Sequence, residues 1–223
     1  MELTTDEDVI REMVSNVPSY RNIQPTLETR LMSERRLTLE NFECFIGDRF
    51  LGALLKPEDL DLIEKTAKAY REGFPELFGG VYEDVLFPAR YAQLMEEMKI
   101  IALVDTVTGN VASSWILTPS ERNMSVEFSL TVTNPGYRGK GLCKDFTNRV
   151  EHWVGLSTVE QGIVYCAAFH EVTQNIFRDL GFERQAFLKG FILANLGGSE
   201  YARDNVVMMT KFYGSSENLS PNV

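Results

Sequence analysis

Histidine, cysteine and basic charge are the scarce features of this 223-residue chain. Cys44, Cys143 and Cys166 stand far apart with no CxxC pair, and His152 and His170 match none of them at a familiar zinc spacing. No metal is expected, and the cysteines are read as reduced thiols in core or helix positions. Lys and Arg total 22 against 32 Asp and Glu, a formal net charge of −10. So acidic a chain is a poor general binder of nucleic-acid phosphates and is repelled by an anionic membrane surface, so neither partner is expected. No apolar run approaches the ~20 residues of a membrane span. The acidic start, Met1-Glu2-Leu3-Thr4-Thr5-Asp6-Glu7, lacks the basic and apolar regions of a secretory signal. The expectation is a soluble, cytoplasmic protein without repeats or low-complexity stretches.

What is there suits a globular domain: 44% of the residues are hydrophobic. Residues 1–56 are the least readable, an N-terminal extension of uncertain structure in which 30–36 is charge-rich and 42–55, apolar with Gly47 and Gly52, leaves strands open. From Pro57 a helix is expected, with Leu60, Ile63, Ala67 and Tyr70 on one face. After a break around 73–80, a second helix is expected over 87–98. The period then becomes alternating. Lys99–Asp105 and 111–117 flank a glycine-containing turn, and 125–132 forms a third strand. Simple alternation puts Val126, Phe128, Leu130 and Val132 on one side of that strand and Glu127, Ser129 and Thr131 on the other. A helix over 140–154, a strand over 163–168, a helix over 173–180 closed by Gly181, and strands over 182–188 and 205–211 complete the order. The tail 214–223 is polar. This order implies a mixed α/β domain around one twisted sheet, mainly antiparallel.

The segment Asn134-Pro135-Gly136-Tyr137-Arg138-Gly139-Lys140-Gly141-Leu142-Cys143 joins a strand to a helix. Glycines let a backbone approach a ligand closely, and the first amides of a helix have no intrahelical partner. Together with Arg138, Lys140 and Lys144 they suit a phosphate. Neither a Walker loop nor a GxGxxG fingerprint is present. Arg138-Gly139-Lys140-Gly141-Leu142-Cys143 instead resembles the pyrophosphate loop Q/R-x-x-G-x-G/A of the GNAT N-acyltransferases, departing from it at Cys143. Phe177-Arg178-Asp179-Leu180-Gly181-Phe182 is similar to that family's Y-x-x-L-G-F. The resemblance spans 57–213, and its plan is similar to amine-type members such as β-lysine acetyltransferases.

The resemblance implies a GNAT-like fold and an acyl-CoA-dependent N-acyltransferase. Acetyl-CoA or another short acyl-CoA would be the cosubstrate, and a small-molecule primary amine the acceptor, attacking directly in a ternary complex. Arg138, Gly139, Lys140, Gly141, Leu142, Cys143 and Lys144 would hold the pyrophosphate, and the backbone of Thr131, Val132 and Thr133 would pair with pantetheine. Phe177 takes the place of a tyrosine that in many members lies against the cofactor and protonates the leaving thiolate, a step phenylalanine cannot perform. Tyr165, Cys166 and His170 are the neighbours that remain. His170 stands where the family often has a CoA-binding asparagine; it is either a catalytic residue or a loop or helix-cap histidine.

Glu127, eleven residues before Arg138, matches the spacing of the catalytic glutamate in the histone-acetylating branch and is the candidate general base. On the acceptor side, Phe74, Phe78, Tyr82, Phe87 and Tyr91 lie among Glu72, Glu76, Glu83 and Asp84. They form either an aromatic, acidic rim for a cationic amine or an ordinary amphipathic segment. Two other readings stay open: a decarboxylase of malonyl thioesters using Thr131 or Thr133 with His170, and a non-catalytic acyl-CoA sensor. A homodimer is compatible with all three.

Overall fold

The computed structural model describes residues 37–74, 82–197 and 200–214. Residues 1–36, Glu76, Phe78 and the tail from 215 lie outside them. The described residues form an eight-stranded sheet in the order β1-β2-β3-β4-β5-β6-β8-β7. Its strands are β1 Glu43–Ile46, β2 Phe50–Leu54, β3 Lys99–Asp105, β4 Val111–Ser120, β5 Ser125–Thr133, β6 Gln161–Ala167, β7 Glu183–Gly197 and β8 Glu200–Phe212. Neighbours are antiparallel except β5 and β6, which are joined through a helix and run parallel. The helices are α1 Leu60–Gly73, α2 Tyr91–Glu97, α3 Leu142–Gly155 and α4 Glu171–Asp179.

Both faces of the sheet are covered. In β3, Ile100, Ile101, Ala102 and Leu103 are all fully buried, the continuous apolar run of a strand packed on two sides. Ile100 and Ala102 join a core with Ile63, Ala67 and Tyr70 of α1. Ile101 and Leu103 join a second core with Phe146, Val150 and Val154 of α3 and Phe177 of α4. The spacing of these residues on α1 and α3 gives each helix one apolar stripe. Gly73 lies so close to Val132 that a Cβ there would strike its side chain, which brings the end of α1 against β5.

Four sequence expectations need correction. First, the domain does not begin at 57: the strands left open over 42–55 form as β1 and β2 and extend the same sheet, while Leu39 and Phe42 enter the α3-side core. Second, only Tyr91–Glu97 of the expected helix over 87–98 is α-helical. Short 3-10 turns at Glu83–Leu86 and Pro88–Arg90 precede it, and Pro88 cannot donate to a preceding turn. Third, β7 and β8 are far longer than expected, because register shifts along the hairpin interrupt the alternation that marks a strand.

Fourth, a bulge in β5 changes which side chains share a face. Ile116 of β4 pairs with Leu130, but the adjacent Leu117 pairs with Phe128, leaving Ser129 as an extra residue in β5. This bulge exchanges the faces. Val126 and Phe128 lie in the α3-side core, whereas Val132 and Leu130 pack with α1. Glu127 points to the α1 side, and Thr131, paired with Trp115 of the α3-side core, points the other way.

Candidate active site

The bulge coincides with a fork. β5 and β6 pair only through Ser125–Gln161, Val126–Gly162, Glu127–Ile163 and Phe128–Val164. Beyond that, β5 stays with β4 as far as Thr133, and β6 stays with β8 as far as Ala167. The two halves of the sheet part, and the edge of β5 from Ser129 to Thr133 faces the opening. The side chains of Thr131 and Val132 are committed elsewhere. The Thr131 hydroxyl donates to Ser114 O (3.1 Å) and Val132 is buried. What these two residues offer to the fork is their backbone.

The loop over 134–141 lies at the end of β5. Asn134 Oδ1 accepts from Gly136 N (3.1 Å), forming a 3-10 turn at Pro135–Tyr137. Gly139 and Gly141 both have φ of +75° and open space where a Cβ would stand. Backbone conformation, rather than crowding within the protein, calls for glycine there. The first amide in the α3 ladder is Asp145, bonded to Gly141 O, so the amides of Leu142, Cys143 and Lys144 remain outside it. Around these donors, Arg138 gives hydrogen bonds to Thr133 O and Gly73 O (both 3.0 Å), tying the loop to the end of α1. Lys140 bonds to Gly136 O (3.3 Å) and lies over the Tyr137 ring. Neither cation is neutralised by these carbonyls or this ring. Lys144 differs: it pairs with Asp179 at 2.7 Å, which lowers the Asp179 pKa and links α3 to α4.

A buried carboxylate anchors the loop from below. Asp105 accepts two hydrogen bonds from Arg49 (2.9 and 2.7 Å), one from the Tyr137 hydroxyl (2.9 Å) and one from Val107 N (3.1 Å). Arg49 above all, then Tyr137 and the Val107 amide, hold its pKa well below the usual carboxylate range against the effect of burial. Nothing in the sequence pattern singles out this network, whose members are 88 positions apart at the extremes (Arg49 and Tyr137).

Glu127 sits at the fork on the α1-side face. Its Oε1 accepts from the Tyr82 hydroxyl at 3.4 Å, and Ser129 and Thr118 share a hydrogen bond (2.7 Å) beside it. Burial, with the Glu127 charge, pushes the Tyr82 phenol up to about 12. Tyr165 is the first β6 residue past the fork. Its neighbours Val164 and Cys166 enter the α3-side core, so its ring lies on the Glu127 side, where it stacks on Phe191 with centroids 5.2 Å apart. Burial and the Glu127 charge raise the Tyr165 pKa as well.

Phe177 is fully buried, edge-on to Trp115, Phe128 and Phe182, and presents no exposed surface to a cofactor. His170 is the N-cap of α4: its Nδ1 accepts from Thr173 N at 3.4 Å and lies 2.6 Å from the Thr173 hydroxyl. Cys166 is buried, which pushes its thiol up to about 12, and Cys143 is half-buried with its carbonyl bonded to Thr147. Of the aromatic rim, Tyr82 reaches Glu127, whereas Tyr91 is fully buried with its hydroxyl on Val85 O.

No family model matches the chain, and no curated protein does. Solved structures do. The ribosomal-protein-S5-alanine acetyltransferase from Vibrio fischeri superposes with a TM-score of 0.62 at 14% identity, covering 78% of this chain and 98% of its own. A spermidine N-acetyltransferase from Vibrio cholerae, in complex with CoA and spermine, gives 0.59 at 17% identity over 78% of this chain and all of the other. An acetyltransferase of the GNAT family from Streptococcus pneumoniae gives 0.58 at 15%, covering 74% and 99%. With its forked sheet and glycine loop at the head of α3, the chain has the fold of the GNAT acetyltransferases.

Proposed function

We propose that this protein is an acyl-CoA-dependent N-acyltransferase, which moves an acetyl or other short acyl group to a small primary amine in a ternary complex. The observation that carries this reading is the fork: β5 and β6 part at Phe128–Val164, between the glycine loop and the Glu127 carboxylate. The donors fit a CoA chain. Amides of Leu142, Cys143 and Lys144, with Arg138 and Lys140, would hold the pyrophosphate, and backbone of 131–133 would pair with pantetheine. The structural neighbours include a complex with CoA and act on amines by name, which agrees with this assignment.

Acyl transfer requires the amine nitrogen to be neutral as it attacks the thioester carbon. Glu127 takes that proton, directly or through one water. An amide on the open edge of β5 meets the carbonyl oxygen as it gains charge. The carboxylate, beside the rings of Tyr82 and Tyr165, also gives the acceptor side a local negative, aromatic surface that suits a cationic amine. His170 caps α4 through Nδ1, and this reading assigns it no step. Glu127→Gln is expected to lower amine-dependent thiol release by roughly 10²–10⁴ with acetyl-CoA affinity retained. Unchanged turnover would remove Glu127 from the base role.

A further inference from the structure

The acyl transfer proposed above leaves one proton unassigned. As the C–S bond breaks, the CoA sulfur leaves as a thiolate, and Phe177 is enclosed in the core and has no proton to give. Cys166 faces the α3-side core as a neutral, buried thiol, and the His170 ring caps α4. The Tyr82 hydroxyl donates to Glu127. Tyr165 is placed differently from all of these. It is the first residue of β6 beyond the last pair with β5, it faces the same side as Glu127, and its ring is only partly covered, by Phe191.

Building on that reading, we infer that Tyr165 is the general acid, donating its phenolic proton to the CoA sulfur at the fork while Glu127 serves as the base. The protons balance. The amine nitrogen forms its bond to the acyl carbon and loses a proton to Glu127. The C–S bond breaks, its electron pair stays on sulfur, and sulfur takes the proton of Tyr165. The proton on Glu127 then passes to the Tyr165 oxygen, directly or through water, and both side chains return to their starting forms.

The electrostatics favour this sequence. The titratable groups whose charge reaches Tyr165 are Glu127 on β5 and Tyr82 on the segment before α2; β8 opposes it with Met208 and β7 with Phe191. Burial and the Glu127 carboxylate keep the phenol protonated in the resting enzyme. When Glu127 takes up the amine proton its charge disappears, and Tyr165 becomes a stronger acid as the thiolate forms.

The test compares Tyr165→Phe with wild type and with Tyr82→Phe, using acetyl-CoA and an amine that the wild type acetylates. Tyr165→Phe keeps the ring stacked on Phe191, so acetyl-CoA binding by calorimetry should persist. The expected result is a fall in kcat of about 10²–10⁴ and loss of the falling alkaline limb of the pH–rate profile, a limb that Tyr82→Phe retains. A second readout needs no turnover. With 3-fluorotyrosine placed at position 165 of the free protein, the 19F titration midpoint should lie lower in Glu127→Gln than in the otherwise wild-type chain. A Tyr165→Phe rate within about threefold of wild type, an alkaline limb lost only in Tyr82→Phe, or a fluorine midpoint unmoved by Glu127→Gln would overturn the assignment while acyl transfer itself stands. Absence of amine-dependent thiol release in the wild type would instead contradict the proposed function.

Discussion

Asp105 illustrates what one side chain contributes at a distance from the proposed reaction. It is fully buried, yet four hydrogen bonds from Arg49, Tyr137 and Val107 favour its charged form. Its folded pKa lies below the ordinary carboxylate value of about 4, so the stabilisation is complete above that pH and drains away as pH falls toward the folded value. Asp105→Asn should therefore lower the thermal midpoint at pH 7, and the gap from wild type should narrow below about pH 4. Because Tyr137 lies in the loop, acetyl-CoA affinity should fall in the same variant. A gap that stays constant from pH 7 to pH 3 would show that the charge of Asp105 is not what stabilises the fold. The residues of the loop itself, Arg138 to Cys143, are legible in the sequence because their chemistry is local. Asp105 is not, because its partners meet only in three dimensions.

At the scale of elements, the strand–loop–helix unit from β5 to α3 carries the candidate site. Its glycines can be tested for conformation and for ligand contact separately. Gly141 adopts φ of +75° with open space around it, so Gly141→Ala and Gly141→Glu share the same backbone penalty, about 1–2 kcal/mol of stability. Alanine should weaken acetyl-CoA binding modestly, while glutamate, with added bulk and negative charge, should abolish it; calorimetry beside thermal unfolding separates the two effects. Equal binding by both variants would place the pyrophosphate elsewhere. Helices α1 and α3 and the β3–β4 hairpin are readable from periodicity, since α1 and α3 each bury one stripe and β3 carries the apolar run from Ile100 to Val104. The faces of β5 are not. The run Val126-Glu127-Phe128-Ser129-Leu130-Thr131-Val132 alternates without interruption, and only the pairing with β4 reveals Ser129 as the extra residue. A bulge needs no particular side chain, so the sequence carries no mark of it. That unread residue puts Leu130 and Val132 against α1 and accompanies the fork that opens the site.

For the whole molecule, the formal charge of −10 and the basic loop are complementary facts. Arg138 and Lys140 bond to carbonyls, which leaves their charge available at the head of α3, while Glu127 lies across the fork on the α1 side. In the proposed reading, an anionic cosubstrate meets the loop at the end of β5 and a cationic acceptor meets Glu127 at the fork. The loop motif and the L-G-F turn make this plan legible in the sequence, but Phe177 illustrates the limit of a motif: its place in the chain is a family position, and its place in the fold is the core. The central claim is that the fork joins an acyl-CoA on one side to an amine on the other. The most direct test is to saturate the wild-type protein with acetyl-CoA, add a panel of primary amines, and follow free thiol together with acetylated product. The account predicts saturable acetyl-CoA binding and thiol release that appears only with amine, in one-to-one proportion to amide formed. Saturable binding with no amine-dependent thiol, or no binding at all, would contradict it.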